Sequence, residues 1–235
     1  MEISRSALLA YAVGAAEPLG LSRAQVGRVR RALACAGSPP VLWLSSPACA
    51  ACCMSQLNAA GPSADPVLLN PESAKCRRTG MPAPGELAVA AATSTDQAGG
   101  HILVVEGAIP VSLDGRGCSV WAEGDQSVTM ARAVNSLAAS ATCVVAVGTC
   151  AVFGEVSGAR CGSTAMAVGG FLGRQVVNLP GCPVHADRVV GSLVQILSGT
   201  MVSLDSHGRP AALYSTRLPS DTYSSPSETE RLIAT

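Results

Sequence analysis

Five short apolar runs recur along the chain: "VLWL" at 41–44, "PVLLN" at 66–70, "HILVVEGA" at 101–108, "CVVAVGT" at 143–149 and "QVVNLPG" at 175–181. Short and rich in β-formers, they read as strands. Between them, "DQSVTMARAVNSLAASA" at 125–141 and "HADRVVGSLVQIL" at 185–197 carry apolar residues at helical spacing, the second just after Pro183. Strand and helix in alternation predict parallel βαβ units, an α/β fold whose helices cover the faces of one sheet.

A length of 235 residues suits one well-filled domain with a modest appendage. Residues 1–38 form a leader that reads as one helix, because Ser22 and Gln25 stand at capping-box spacing and Gly37 precedes a Pro pair. The main domain then spans 39–200. The tail, 201–235, passes from apolar to Ser, Thr and Pro-rich, and reads as a small hairpin around Gly208 followed by a flexible, irregular end.

Charge excludes some partners. Lys+Arg and Asp+Glu balance at 16 each and charged residues make up only 14%, so the chain lacks the basic footprint of a nucleic-acid or anionic-lipid binder. Hydrophobic residues reach 48%, yet no run approaches the roughly 20 apolar residues that span a bilayer. The patch from Leu8 to Ala16 continues into a charged helical pattern without a clear cleavage site, so export is not expected. Ten cysteines in a chain with this much core fit buried thiols plus a metal or iron–sulfur site better than a disulfide framework, which implies a reducing, cytoplasmic setting.

The cysteines fall in an ordered way on the strand map. Cys49 follows the first strand, Cys150 the fourth and Cys182 the fifth, Cys52 joins from the turn leaving the first, and Glu106 ends the third. Strand carboxyl ends are the edge where open α/β sheets build their sites. Four converging thiolates suit tetrahedral zinc or an iron–sulfur cluster. Zinc ribbons use two C-x-x-C knuckles; one C-x-x-C joined by two distant single cysteines fits a [4Fe-4S] cube better. Gly148 and Gly181, beside the later thiols, are expected to free backbone amides toward the cluster sulfides.

Taken together, "VLWLSSPACAACCMSQLN", "VVEGAIP", "AVGTCAVFGEV" and "NLPGCPVHADRVVGSLVQIL" resemble the small, electron-transferring subunit of [NiFe] hydrogenases, over about Val41 to Tyr214. The resemblance implies a flavodoxin-like, doubly wound parallel sheet. It also implies one proximal [4Fe-4S] cluster on Cys49, Cys52, Cys150 and Cys182, with the nickel–iron centre in a large partner subunit. Glu106 matches a family glutamate near the cluster that is linked with proton movement, and Glu155 is a weaker case of the same kind.

Departures from the family pattern set further expectations. The family's outer-cluster ligands, a His and a Cys, follow an "LDxxGRP" segment; here Pro219 and Thr222 fall about there, and no cysteine follows Cys182. One cluster is therefore expected, with electrons leaving through a further redox subunit or carrier. Oxygen-tolerant relatives carry extra cysteines where this chain has Ala51 and Glu155. Cys53 and Cys161 are candidates to approach the cluster as spare ligands, against the plainer reading of packed thiols, which is adopted outright for Cys35, Cys76, Cys118 and Cys143. His185 reads as a surface or interface residue, and His101 and His207 as structural or exposed. Two other assignments compete: a hydrogen-sensing regulatory subunit, and a complex I-like subunit suggested by the adjacent Cys52 and Cys53.

Overall fold

The computed structural model describes residues 39–46, 51–55, 85–116, 118–123, 125–154, 164–197 and 202–215. The expected leader helix, the strand at 66–70 and the tail beyond 215 lie outside the described residues. In chain order the elements are β1 (Val41–Ser45), α1 (Ala51–Ser55), α2 (Gly85–Ala98), β2 (Ile102–Glu106), β3 (Ile109–Pro110), β4 (Ser119–Glu123) and β5 (Gln126–Thr129). They continue with α3 (Met130–Ser140), β6 (Cys143–Val147), α4 (Thr149–Phe153), β7 (Ala165–Met166), α5 (Val168–Leu172), β8 (Val177–Leu179), α6 (Ala186–Leu197) and α7 (Ala211–Tyr214).

Four strands make one sheet in the order β1-β2-β6-β8, and every pair is parallel. The side chains alternate between two cores, as the period of a strand requires. On one face Leu42, Leu44, Leu103, Val105, Val144 and Ala146 pack with Met130, Val134 and Leu137 of α3, Ala151 of α4 and Val168 of α5. On the other, Trp43, Ile102, Val104, Val145, Val147, Val177 and Leu179 pack with Val189 and Leu193 of α6. β2 is buried along its whole length because it is covered on both faces. This is the doubly wound α/β arrangement expected.

One boundary differs from the expectation. The segment expected to be helical from 125 starts as a strand: Gln126–Thr129 pairs antiparallel with β4 and the helix begins only at Met130. Thr129 makes the switch, because its extended backbone ends the strand while its Oγ1 accepts the Arg132 amide at 3.2 Å. The hairpin around Gly208 is present: Leu204 bridges Pro210, and the Gly208 amide donates to the Asp205 carbonyl at 2.9 Å. From its far end Tyr214 reaches back, donating its hydroxyl to the Pro180 carbonyl at 3.1 Å while the Arg188 guanidinium lies 4.3 Å from its ring centroid.

His101, expected to be structural or exposed, is fully buried just ahead of β2. Burial pushes its pKa below the ordinary 6.5, opposed by the Asp96 carboxylate and the Leu137 carbonyl. A depressed folded pKa means that the unfolded chain takes up the proton first as pH falls, so the contribution to stability is present above the unfolded value of 6.5 and is lost below it. Between about pH 7 and pH 5 the melting temperature should therefore fall more for the parent protein than for His101→Leu, which removes this titration. Parallel curves for the two would refute the assignment.

Candidate functional site

The register of the sheet builds the site. Ser45 pairs with Glu106, Glu106 with Val147 and Val147 with Leu179, so these four form one row at the carboxyl end of the sheet. Cys150 follows Val147 by three residues and Cys182 follows Leu179 by three. Cys52 lies in α1, beyond the end of β1. Parallel strands thus deliver three of the four expected ligands to the same edge. Cys49 lies outside the described residues, as do Glu155 and Cys161; for Cys53 only the backbone, within α1, is described.

The loops that carry these thiols are tied together. The Ser55 hydroxyl lies 2.7 Å from both the Cys52 and the Val184 carbonyls, joining α1 to the loop after Cys182. The Gly148 amide donates to the Leu179 carbonyl at 2.9 Å and the Thr149 amide to the Gly181 carbonyl at 3.0 Å, joining the Cys150 loop to the Cys182 loop. The Cys52 sulfur lies against Gly148 so closely that a Cβ there would come within 2.8 Å of it. Cys52 is buried in one apolar cluster with Val147, Leu179 and Val184, Cys150 is half-buried, and Cys182 is exposed.

The amides of the two glycines themselves are already bonded: that of Gly148 donates to the Leu179 carbonyl, and that of Gly181 to Thr149 Oγ1 at 3.2 Å. The glycines serve backbone geometry. Gly148 adopts φ +95°, and at Gly181 a Cβ would come within 2.6 Å of Val184 Cα.

Glu106 is buried, 3% exposed, in the last row of β2. Its Oε2 accepts the indole N–H of Trp43 at 3.1 Å and the hydroxyl of Ser45 at 2.9 Å. An unpartnered polar group there would cost roughly 2–7 kcal/mol, which these two donors offset. Neither donor was singled out from sequence. Strand alternation was the available signal, because Trp43 and Ser45 share a face of β1 and Ser45 is the register partner of Glu106.

The remaining described candidates separate from this cluster. Cys118 is buried in the core beneath α3. Cys143 starts β6 at the opposite edge, and burial pushes its thiol pKa up, against the pull of the Arg174 guanidinium. His185 Nδ1 accepts the Asp187 amide at 3.2 Å at the start of α6. That nitrogen cannot also donate to the Asp187 carboxylate 3.6 Å away, so the ring acts as a helix cap.

Among the described residues no three His, Cys, Asp or Glu side chains stand together as a ligand set. The fit of a cluster therefore rests on the donors and their surroundings: three thiols on cross-linked loops, with Cys52 seated against a glycine. Soft thiolate donors suit iron–sulfur ligation, and the arrangement is compatible with it.

Comparison with known proteins places the chain. The family described as "NADH ubiquinone oxidoreductase, 20 Kd subunit" matches residues 49–196. The periplasmic [NiFe] hydrogenase small subunit of Solidesulfovibrio fructosivorans is 31% identical over 90% of this chain and 67% of its own length. The periplasmic [NiFeSe] hydrogenase small subunit of Desulfomicrobium baculatum is 32% identical over 91% of this chain and 75% of its own. Among solved structures, a [NiFeSe] hydrogenase from Desulfovibrio vulgaris Hildenborough superposes with a TM-score of 0.67 at 34% identity, covering 75% of this chain and 69% of that one. The chain belongs to the family of [NiFe] hydrogenase small subunits.

The expected cytoplasmic location does not stand, since both of these relatives are named as periplasmic proteins. A count of thiols cannot separate metal ligands from disulfide partners, so it says little about the compartment. No helix among the described residues is long and apolar enough to cross a membrane.

Gly148→Ala tests the contact that seats Cys52. Gly173 is the control: its φ is +61° and a Cβ there meets nothing within 4 Å, so Gly173→Ala adds backbone strain alone, on the order of 1–2 kcal/mol. Gly148→Ala should lower the melting temperature more than Gly173→Ala and should alone reduce bound iron. Equal effects of the two substitutions on both readouts would contradict the seating.

Proposed function

We propose that Cys49, Cys52, Cys150 and Cys182 hold one [4Fe-4S] cluster, and that the chain passes electrons through it between the nickel–iron site of a large partner subunit and a further redox subunit or carrier. The observation that supports this is the cross-linking of the Cys52, Cys150 and Cys182 loops at one sheet edge, by Ser55 on one side and by the Gly148–Leu179 and Thr149–Gly181 bonds on the other. When bound, such a cluster supplies one-electron exchange at a potential set by net charge, burial and hydrogen bonding.

The chain's own residues do the rest. Val147, Leu179 and Val184 keep water from the Cys52 side. Trp43 and Ser45 hold the Glu106 carboxyl at the edge of the sheet, where it is the near-cluster acid of this reading. Glu155 is a second near-cluster candidate, and Cys53 and Cys161 are spare thiols rather than ligands. Four thiols make up the ligand set of one cube, which is why a single cluster is assigned.

In anaerobically prepared complex, Cys150→Ser should lose most of its iron and acid-labile sulfide, whereas Cys53→Ala and Cys161→Ala should leave the EPR spectrum of the reduced protein unchanged. Normal iron and sulfide in Cys150→Ser would overturn the ligand assignment. A turnover enzyme also differs from a sensor in rate: the copurified complex should reduce a dye rapidly under hydrogen, and a negligible rate would favour the regulatory role.

A further inference from the structure

We propose that Thr149 is a positioning residue that locks the two loops presenting Cys150 and Cys182 to each other, an inference that rests on the cluster reading above. β6 and β8 pair in register up to Val147 and Leu179. Beyond that row the ladder continues for two more bonds, from the Gly148 amide to the Leu179 carbonyl at 2.9 Å and from the Thr149 amide to the Gly181 carbonyl at 3.0 Å. The returning bond differs in kind: the Gly181 amide donates to the side chain of Thr149, at 3.2 Å from Oγ1.

Thr149 is therefore bonded to one residue twice, through its backbone as donor and through its side chain as acceptor. This pair of hydrogen bonds fixes the orientation of the two residues as well as their separation, which a single hydrogen bond does not. Each partner immediately precedes a ligand, Thr149 before Cys150 and Gly181 before Cys182. The relative placement of the two loops that carry these thiols is thus set by the protein itself, which leaves less ordering to be done on binding iron.

The side-chain half of the lock can come only from position 149. Position 181 must be glycine, because a Cβ there would lie 2.6 Å from Val184 Cα. The acceptor at 149 must be a hydroxyl one bond from Cβ. Serine supplies the same oxygen, whereas valine keeps the shape of threonine and leaves the Gly181 amide without its acceptor.

The test uses the full chain copurified with its partner under anaerobic conditions, as parent, Thr149→Val and Thr149→Ser. Three quantities are read: the rate of iron loss to a ferrous chelator, the EPR spectrum after reduction, and the melting temperature of the iron-free chain. Thr149→Val should release iron on the order of tenfold faster, the equivalent of the ~1.4 kcal/mol that an orphaned amide costs, and should show shifted g-values. Thr149→Ser should return both toward the parent. Parent-like release and spectrum in Thr149→Val would overturn the proposal. So would equal impairment of both variants with a matching drop in melting temperature of the iron-free chain, since that is the mark of lost packing. A parent protein without a [4Fe-4S] spectrum would overturn the cluster reading itself, and that result is visible before any variant is compared.

Discussion

The in-register parallel pairing of β1, β2, β6 and β8 is the constraint on which the site depends. Strands running the same way end at the same edge, so the loops that carry Cys52, Cys150 and Cys182, widely separated in sequence, are brought to one edge. Register still has to be specified, and apolar patterning does it poorly here. β2 is apolar on both faces from Ile102 to Val105, so a one-residue slip would exchange one buried aliphatic set for another. Glu106 breaks that degeneracy. Its carboxyl finds the Trp43 indole and the Ser45 hydroxyl only in the observed register, and a slip would turn a buried polar group toward the opposite core. The residue that marks the site also fixes the sheet that builds it.

How much of this could be read from sequence follows the same division. The described sheet strands and α6 were legible because "VLWL", "HILVVEGA", "CVVAVGT" and "QVVNLPG" are continuous apolar runs, and because the helix repeats its apolar residues at a helical period. The strand-end position of Cys150 and Cys182 followed directly. α2 was not foreseen, since in "GELAVAAATSTDQA" the apolar positions are mostly alanines, which contribute little to a periodic signal. β5 falls inside the stretch expected to be helical from 125, and β4 ahead of it carries no expectation, although Gly124 and Asp125 between Glu123 and Gln126 are turn-forming residues. The side chains that hold Glu106, and the partners of the Gly148 and Gly181 amides, required the register itself. A sequence shows which residues carry polar atoms, and only the pairing of strands decides which of them meet.

The three described thiols differ in their surroundings, and the difference has a direction. Cys52 is packed among Val147, Leu179 and Val184, Cys150 is half-buried, and Cys182 faces solvent. On the proposed reading, Cys52 would hold its side of a cluster against an apolar wall, and Cys182 would hold the other toward water. Burial is among the quantities that set the potential of such a cluster. The wall is part of the fold and does not change, because α1 and the sheet hold it. The Cys182 side is exposed, so on the proposed reading a partner docking over it would expel water and would move the potential without altering a ligand. The electrostatics of assembly would then act through the exposed thiol. The Thr149–Gly181 lock, which keeps that thiol in register with Cys150, would let the surroundings of the cluster change while its geometry does not.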